Sequence, residues 1–143
     1  MDIQFPPFLQ KGDKVVIVSP SSKIDQQFLK GAKKRMESWG LKVAIGKHAG
    51  SSSGRYAGTI KQRLKDLQDA MDDPKVKAIL CSRGGYGAVH LIDKIDFTAF
   101  HEHPKWLLGF SDITALHNLF QKNGYVSLHS LMARHLTVEP EDD

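Results

Sequence analysis

Trp106-Leu107-Leu108-Gly109-Phe110-Ser111-Asp112-Ile113 opens on a short apolar run, breaks at a glycine and enters a periodic segment. The run at 106–108 reads as a buried strand, and Ile113, Leu116, Leu119 and Phe120 recur at helical spacing as far as Lys122, with Gly124 as the stop. A sharp strand-to-helix turn lifts a hydroxyl above the sheet edge and aims the next backbone N–H groups at an incoming carbonyl. A second apolar run, at 78–81, leads into Arg83-Gly84-Gly85-Tyr86-Gly87, which can bring further bare N–H groups to the same place. Ser111 therefore reads in two ways. Serine is a preferred helix N-cap, the commoner role at such a junction. It is also placed as a nucleophile facing an oxyanion hole, which is acyl-transfer chemistry. The strict Gly-x-Ser-x-Gly elbow is not met, because Ile113 stands where the second glycine belongs.

Outward from these two motifs, strands and helices alternate. Lys14-Val15-Val16-Ile17-Val18-Ser19 is a β-branched run ending at Pro20. Phe28, Leu29, Ala32, Met36 and Trp39 mark a helix that stops at Gly40, and a strand follows at 41–45. A Gly/Ser-rich loop fills 46–58. Thr59 and Gln62 then form a capping-box pattern for a helix carrying Leu64, Leu67, Ala70 and Met71, ended by Asp73-Pro74. The last strand is expected at 125–128. This order predicts a parallel sheet with helices on both faces, and ligands bind such sheets beyond the carboxyl ends of the strands. Ser19, Arg83 and Ser111 all fall there.

The chain has 143 residues, 41% of them hydrophobic, which suits one domain with a real core. No apolar run is long enough to span a membrane, and the start lacks the pattern of a signal peptide. The single cysteine excludes an internal disulfide and fits a reducing compartment, so a cytoplasmic protein is expected. The net charge of +4 is mildly basic, but Lys33, Lys34 and Arg35 lie on the solvated face of a helix, so no nucleic-acid partner is expected. No Gly-x-x-x-x-Gly-Lys-Ser/Thr or Gly-x-Gly-x-x-Gly motif occurs. Neither a metal nor a cofactor is expected.

An ordered set of motifs is similar to the N-terminal domain of the LD-carboxypeptidase family, serine peptidases that include the microcin-immunity peptidases. The set is Gly12-Asp13-Lys14-Val15, Ser19-Pro20-Ser21, Tyr56-Ala57-Gly58-Thr59 with Arg63 and Asp66-Leu67, Asp73-Pro74, Arg83-Gly84-Gly85-Tyr86-Gly87 and Gly109-Phe110-Ser111-Asp112-Ile113-Thr114. The resemblance implies a flavodoxin-like domain, akin to class I glutamine amidotransferases, and makes Ser111 the nucleophile. It implies an oxyanion hole from the Asp112 N–H and an N–H of Gly84 or Gly85. A Glu and a His of a second domain would complete the triad. The implied reaction releases D-alanine from the L,D-bond of murein tetrapeptide in cytoplasmic cell-wall recycling. A peptidyl-nucleotide antibiotic is the alternative substrate, and a binding module without chemistry is the alternative from another class. Arg83 is a candidate partner for a substrate carboxylate, since a guanidinium matches it with two hydrogen bonds.

None of the seven histidines fits the family position of the base. His129 is the candidate surrogate and Cys81 the rival nucleophile. On this reading residues 1–135 form the nucleophile-bearing domain, and 136–143 begin a linker to a C-terminal domain. Phe110, Tyr86, Leu131 and Met132 are expected to be exposed, and a homodimer to cover them.

Overall fold

The computed structural model describes residues 2–138. Its strands are β1 (Lys14–Val18), β2 (Lys42–Ile45), β3 (Val76–Cys81), β4 (Trp106–Gly109) and β5 (Leu128–His129). They form one sheet in the order β2-β1-β3-β4-β5, with every pairing parallel. Helices α1 (Gln26–Ser38), α2 (Ile60–Asp72) and α3 (Thr114–Lys122) lie in the connections, and α4 (Ala133–Val138) follows β5. This is the strand order of flavodoxin-like folds.

The period-two alternation of each strand explains the two layers of helices. Val15 and Ile17 of β1 pack with Leu29, Ala32 and Met36 of α1 and with Ala133 of α4. Val16 and Val18 point the other way, to Leu67 and Met71 of α2 and Leu116 and Phe120 of α3. Leu80 and Trp106 join the first group; Ile79, Cys81 and Leu107 join the second. Strands covered on both faces read as nearly continuous apolar runs, which is how β1 and β3 appear in the sequence.

Helix α2 begins as expected. The Gln62 N–H donates to Thr59 Oγ1 at 3.1 Å, and Gln62 Oε1 accepts from the Thr59 N–H at 3.0 Å. Between α2 and β4 lies buried Lys105, whose Nζ donates to the carbonyls of Met71 and His103, each at 2.9 Å. Burial lowers its pKa to about 8.

Two expectations change. The last strand begins at Leu128, not at Tyr125. Tyr125 is instead buried against Phe97 and Phe100, its N–H donates to the Phe120 carbonyl at the end of α3, and its one bridge is to Gln4. Residues 136–138, expected as linker, continue α4, which lies on α1: Thr137 Oγ1 donates to the Phe28 carbonyl at 3.0 Å. Residues 139–143 of that stretch lie outside the described residues.

The strand order reverses between β1 and β3, so the loops leaving these strands flank a crevice, with the end of β4 beside it. At its base the Ser19 hydroxyl donates to the Ala49 carbonyl and shares a hydrogen bond with Ser82 Oγ, both at 2.7 Å.

Candidate active site

Ser111 follows β4 after one extended residue and opens a single 3-10 turn that runs into α3. Its φ is +62°, the only left-handed non-glycine backbone among the described residues. For an L-residue that conformation costs about 1–2 kcal/mol. The N-cap position of the turn belongs to Phe110, and that of α3 to Ile113, so Ser111 caps neither segment. The serine is exposed at the strand-end edge. Of the two readings from sequence, the cap is excluded.

The glycine loop leaving β3 presses against this serine. A Cβ built on Gly84 would stand 3.1 Å from Ser111 Cβ and 3.3 Å from both Ser111 Oγ and the Asp112 nitrogen. Only glycine leaves that space open. Gly85, at φ +104°, faces Ser22 instead: a Cβ there would reach 2.0 Å from Ser22 Oγ. Ser22 in turn holds the loop, its N–H donating to the Gly84 carbonyl at 3.2 Å and its hydroxyl accepting from the Tyr86 N–H at 3.0 Å.

Two charged side chains lock the three strand-end loops together. Asp112 Oδ2 accepts from the Ser21 hydroxyl at 2.7 Å and from the Ala88 N–H at 3.0 Å, joining the turn after β4 to the loops after β1 and β3. Arg63 of α2 is buried beneath them. Its Nη1 donates to the carbonyls of Pro20 and Gly87 at 2.8 Å each, its Nε donates to Gly58, and its guanidinium lies 4.9 Å from the centre of the Tyr56 ring. Burial lowers the Arg63 pKa against the opposing pull of Tyr56 and Asp112, yet a guanidinium stays charged.

A cavity of about 220 Å³ opens over the serine, lined by Arg83, Gly84, Gly85, Ser111, Arg134 and His135, with Phe110 and Met132. Ser111, Asp112, Gly84, Gly85 and Arg83 thus come together. Arg83 is half-buried, and its Nη1 donates to the Lys23 carbonyl at 3.1 Å. His129 lines a different cavity, with His117 and Tyr125. His117 is held between Ser127 Oγ and the Gly109 carbonyl. Cys81 is wholly buried, and burial pushes its thiol pKa up, so it cannot serve as a nucleophile. Met132, expected at the surface, is 3% exposed and packs into the core. Phe110 is half-buried between the rings of His129 and His135, whereas Tyr86 and Leu131 are exposed. Arg134 and His135 were not found from sequence. They reach the serine only because α4 returns over the strand ends, and no local pattern announces that.

A parallel α/β domain with a left-handed serine at a strand end, set against a glycine turn, has the architecture of an acyl-transfer hydrolase. The LD-carboxypeptidase N-terminal domain profile matches residues 15–130, and the chain belongs to this family of serine carboxypeptidases. It is 40% identical over 128 residues to a probable murein peptide carboxypeptidase of Bacillus subtilis, covering 89% of this chain and 40% of that protein. It is 34% identical over 128 residues to the murein tetrapeptide carboxypeptidase of Pseudomonas aeruginosa, covering 89% of this chain and 42% of that one. The crystal structure of an MccF-like protein of Bacillus anthracis superposes with a TM-score of 0.88 at 34% identity, over 95% of this chain and 43% of that one. The chain therefore spans about two-fifths of the length of these relatives.

Proposed function

We propose that this chain is the nucleophile-bearing domain of a cytoplasmic serine carboxypeptidase that releases terminal D-alanine from murein tetrapeptide. The observation that carries this reading is the left-handed Ser111 held against Gly84. A hydroxyl fixed there approaches a carbonyl whose developing oxyanion meets the Asp112 N–H and one from the glycine turn. Between the two glycines, the close approach of Gly84 to Ser111 and to the Asp112 nitrogen favours Gly84. Ser111 Oγ adds to the scissile carbonyl as a base takes its proton. Collapse of the tetrahedral intermediate then expels D-alanine, whose nitrogen receives the proton, and water hydrolyses the acyl-enzyme.

The base and its carboxylate come from a second domain, the family's Glu and His. In support, His117 is already engaged and His129 lies on another cavity. His135 is the histidine that lines the serine cavity, and its Nδ1 accepts from the Met132 N–H at 3.4 Å. The test is D-alanine release from L-Ala-γ-D-Glu-meso-diaminopimelyl-D-Ala by a protein that carries this domain together with the family's second one. Ser111→Ala is expected to lower kcat by about a million-fold, the loss seen when a triad serine is removed elsewhere. Unchanged turnover would end the serine mechanism.

The likeness to an MccF-like protein favours a second reading, in which the same serine acts on a peptidyl-nucleotide antibiotic. Turnover of a peptidyl-adenylate amide, with none of the tetrapeptide, would decide for it.

A further inference from the structure

Beside the serine cavity lies a larger one of about 510 Å³, and the two share Arg83 and Arg134. Lys23, Asp25 and Ser52 also line the larger cavity, so cationic groups outnumber the carboxylate there. Arg83 is half-buried and Arg134 is exposed, and each has one side-chain contact. The Arg83 Nη1 donates to the Lys23 carbonyl, and the Arg134 guanidinium lies 5.7 Å from the centre of the Phe28 ring. Neither forms an ion pair with a carboxylate among the described residues. Each guanidinium carries five N–H donors, and among the described residues the Arg83 Nη1 bond to the Lys23 carbonyl is the one side-chain hydrogen bond that engages them. Two guanidinium groups beside the serine are suited to an oxyanion, whether carboxylate or phosphate.

We propose that Arg83 and Arg134 act as a paired clamp for the anionic group of the residue that leaves. The proposal rests on the serine cavity being the reaction cavity. In a carboxypeptidase substrate the terminal carboxylate stands one residue past the scissile bond, so it is met in the same cavity as the nucleophile. An endopeptidase substrate has no charge at that point and leaves both guanidinium groups unanswered. The larger cavity beyond the clamp admits a leaving group bigger than one amino acid, provided that it presents its anion, carboxylate or phosphate, to the same pair.

Binding to the 143-residue chain tests this without any turnover. The tetrapeptide and its C-terminal amide are titrated while the arginine Nε–H resonances are followed by NMR. The acid is expected to bind about ten- to a hundred-fold more tightly than the amide, the range of a charge-assisted pair. Arg134→Gln and Arg83→Gln should each bring the acid down toward the amide and leave amide binding unchanged. Arg134→Lys should restore only part of the preference. Urea unfolding midpoints equal to wild type establish that the variants are folded. Adenosine monophosphate is titrated in parallel, and loss of its binding in the same variants supports the clamp with phosphate as its anion. Equal affinity for acid and amide, acid affinity indifferent to both substitutions, or no saturable binding of either anion overturns the proposal. Ser111→Ala separates it from the catalytic reading: the clamp requires that this variant keep the preference for the acid, whatever becomes of turnover.

Discussion

Ser111 adopts a backbone conformation that its side chain disfavours, and the neighbouring loops hold it there. Ser111→Gly relieves the left-handed backbone and Ser111→Ala does not, so the glycine variant should be the more stable by about 1 kcal/mol in urea unfolding, although both lack the hydroxyl. Gly84→Ala and Gly85→Ala should fail differently. A methyl group on Gly84 crowds Ser111 and the Asp112 N–H, so kcat should fall with modest loss of stability. On Gly85 it meets Ser22 in a left-handed backbone, so the fold itself should be destabilised, by about 1–3 kcal/mol. Much of this site was legible from residues alone. The strand–turn–helix order around Ser111 and the glycine run after β3 located the serine and its neighbours. The positive φ was not legible, since serine is no marker for it. Nor was the work of the Asp112 side chain, which holds partners 91 and 24 residues away in the chain.

Helices and strands followed their local signals wherever those signals were periodic or capped. Thr59 and Gln62 form the reciprocal cap that their spacing implies, and Thr59→Ala should cost about 1 kcal/mol in chemical unfolding. The last strand was misplaced because Tyr125 looks like a strand residue but is drawn into the aromatic core at the foot of α3. Short β-branched runs record apolarity without saying which neighbour will take up their backbone groups. Lys105 gives the joint between α2 and β4 a pH dependence. Its pKa is about 8 in the fold against an ordinary 10.5, so between those values the unfolded chain holds more protons and stability rises with pH. Below pH 8 the full cost of the buried charge is present. Lys105→Met should abolish this rise, read as the difference in unfolding free energy between about pH 7 and about pH 10.

At the level of the whole molecule, if the base lies in a second domain, as proposed, the 143-residue chain alone should show no useful release of D-alanine, because a serine without a base is a weak nucleophile. Robust turnover that disappears in His135→Ala would identify a local base instead. Tyr86 and Leu131 are 62% and 47% exposed, and Trp39 is 51% exposed, which leaves apolar surface for a second copy to cover. Light scattering should then give the mass of a dimer, and a clean monomer at 100 μM or so would count against this. The position of β1 between β2 and β3 also bears on how the protein is made. The first strand to leave the ribosome is an interior strand of the finished sheet, and its second neighbour does not emerge until residue 81 has cleared the exit tunnel. Until then β1 has one edge unpaired, the state in which nascent chains aggregate. Stalled chains exposing about 70 residues should therefore be cut readily by protease, and those exposing α3 should resist it.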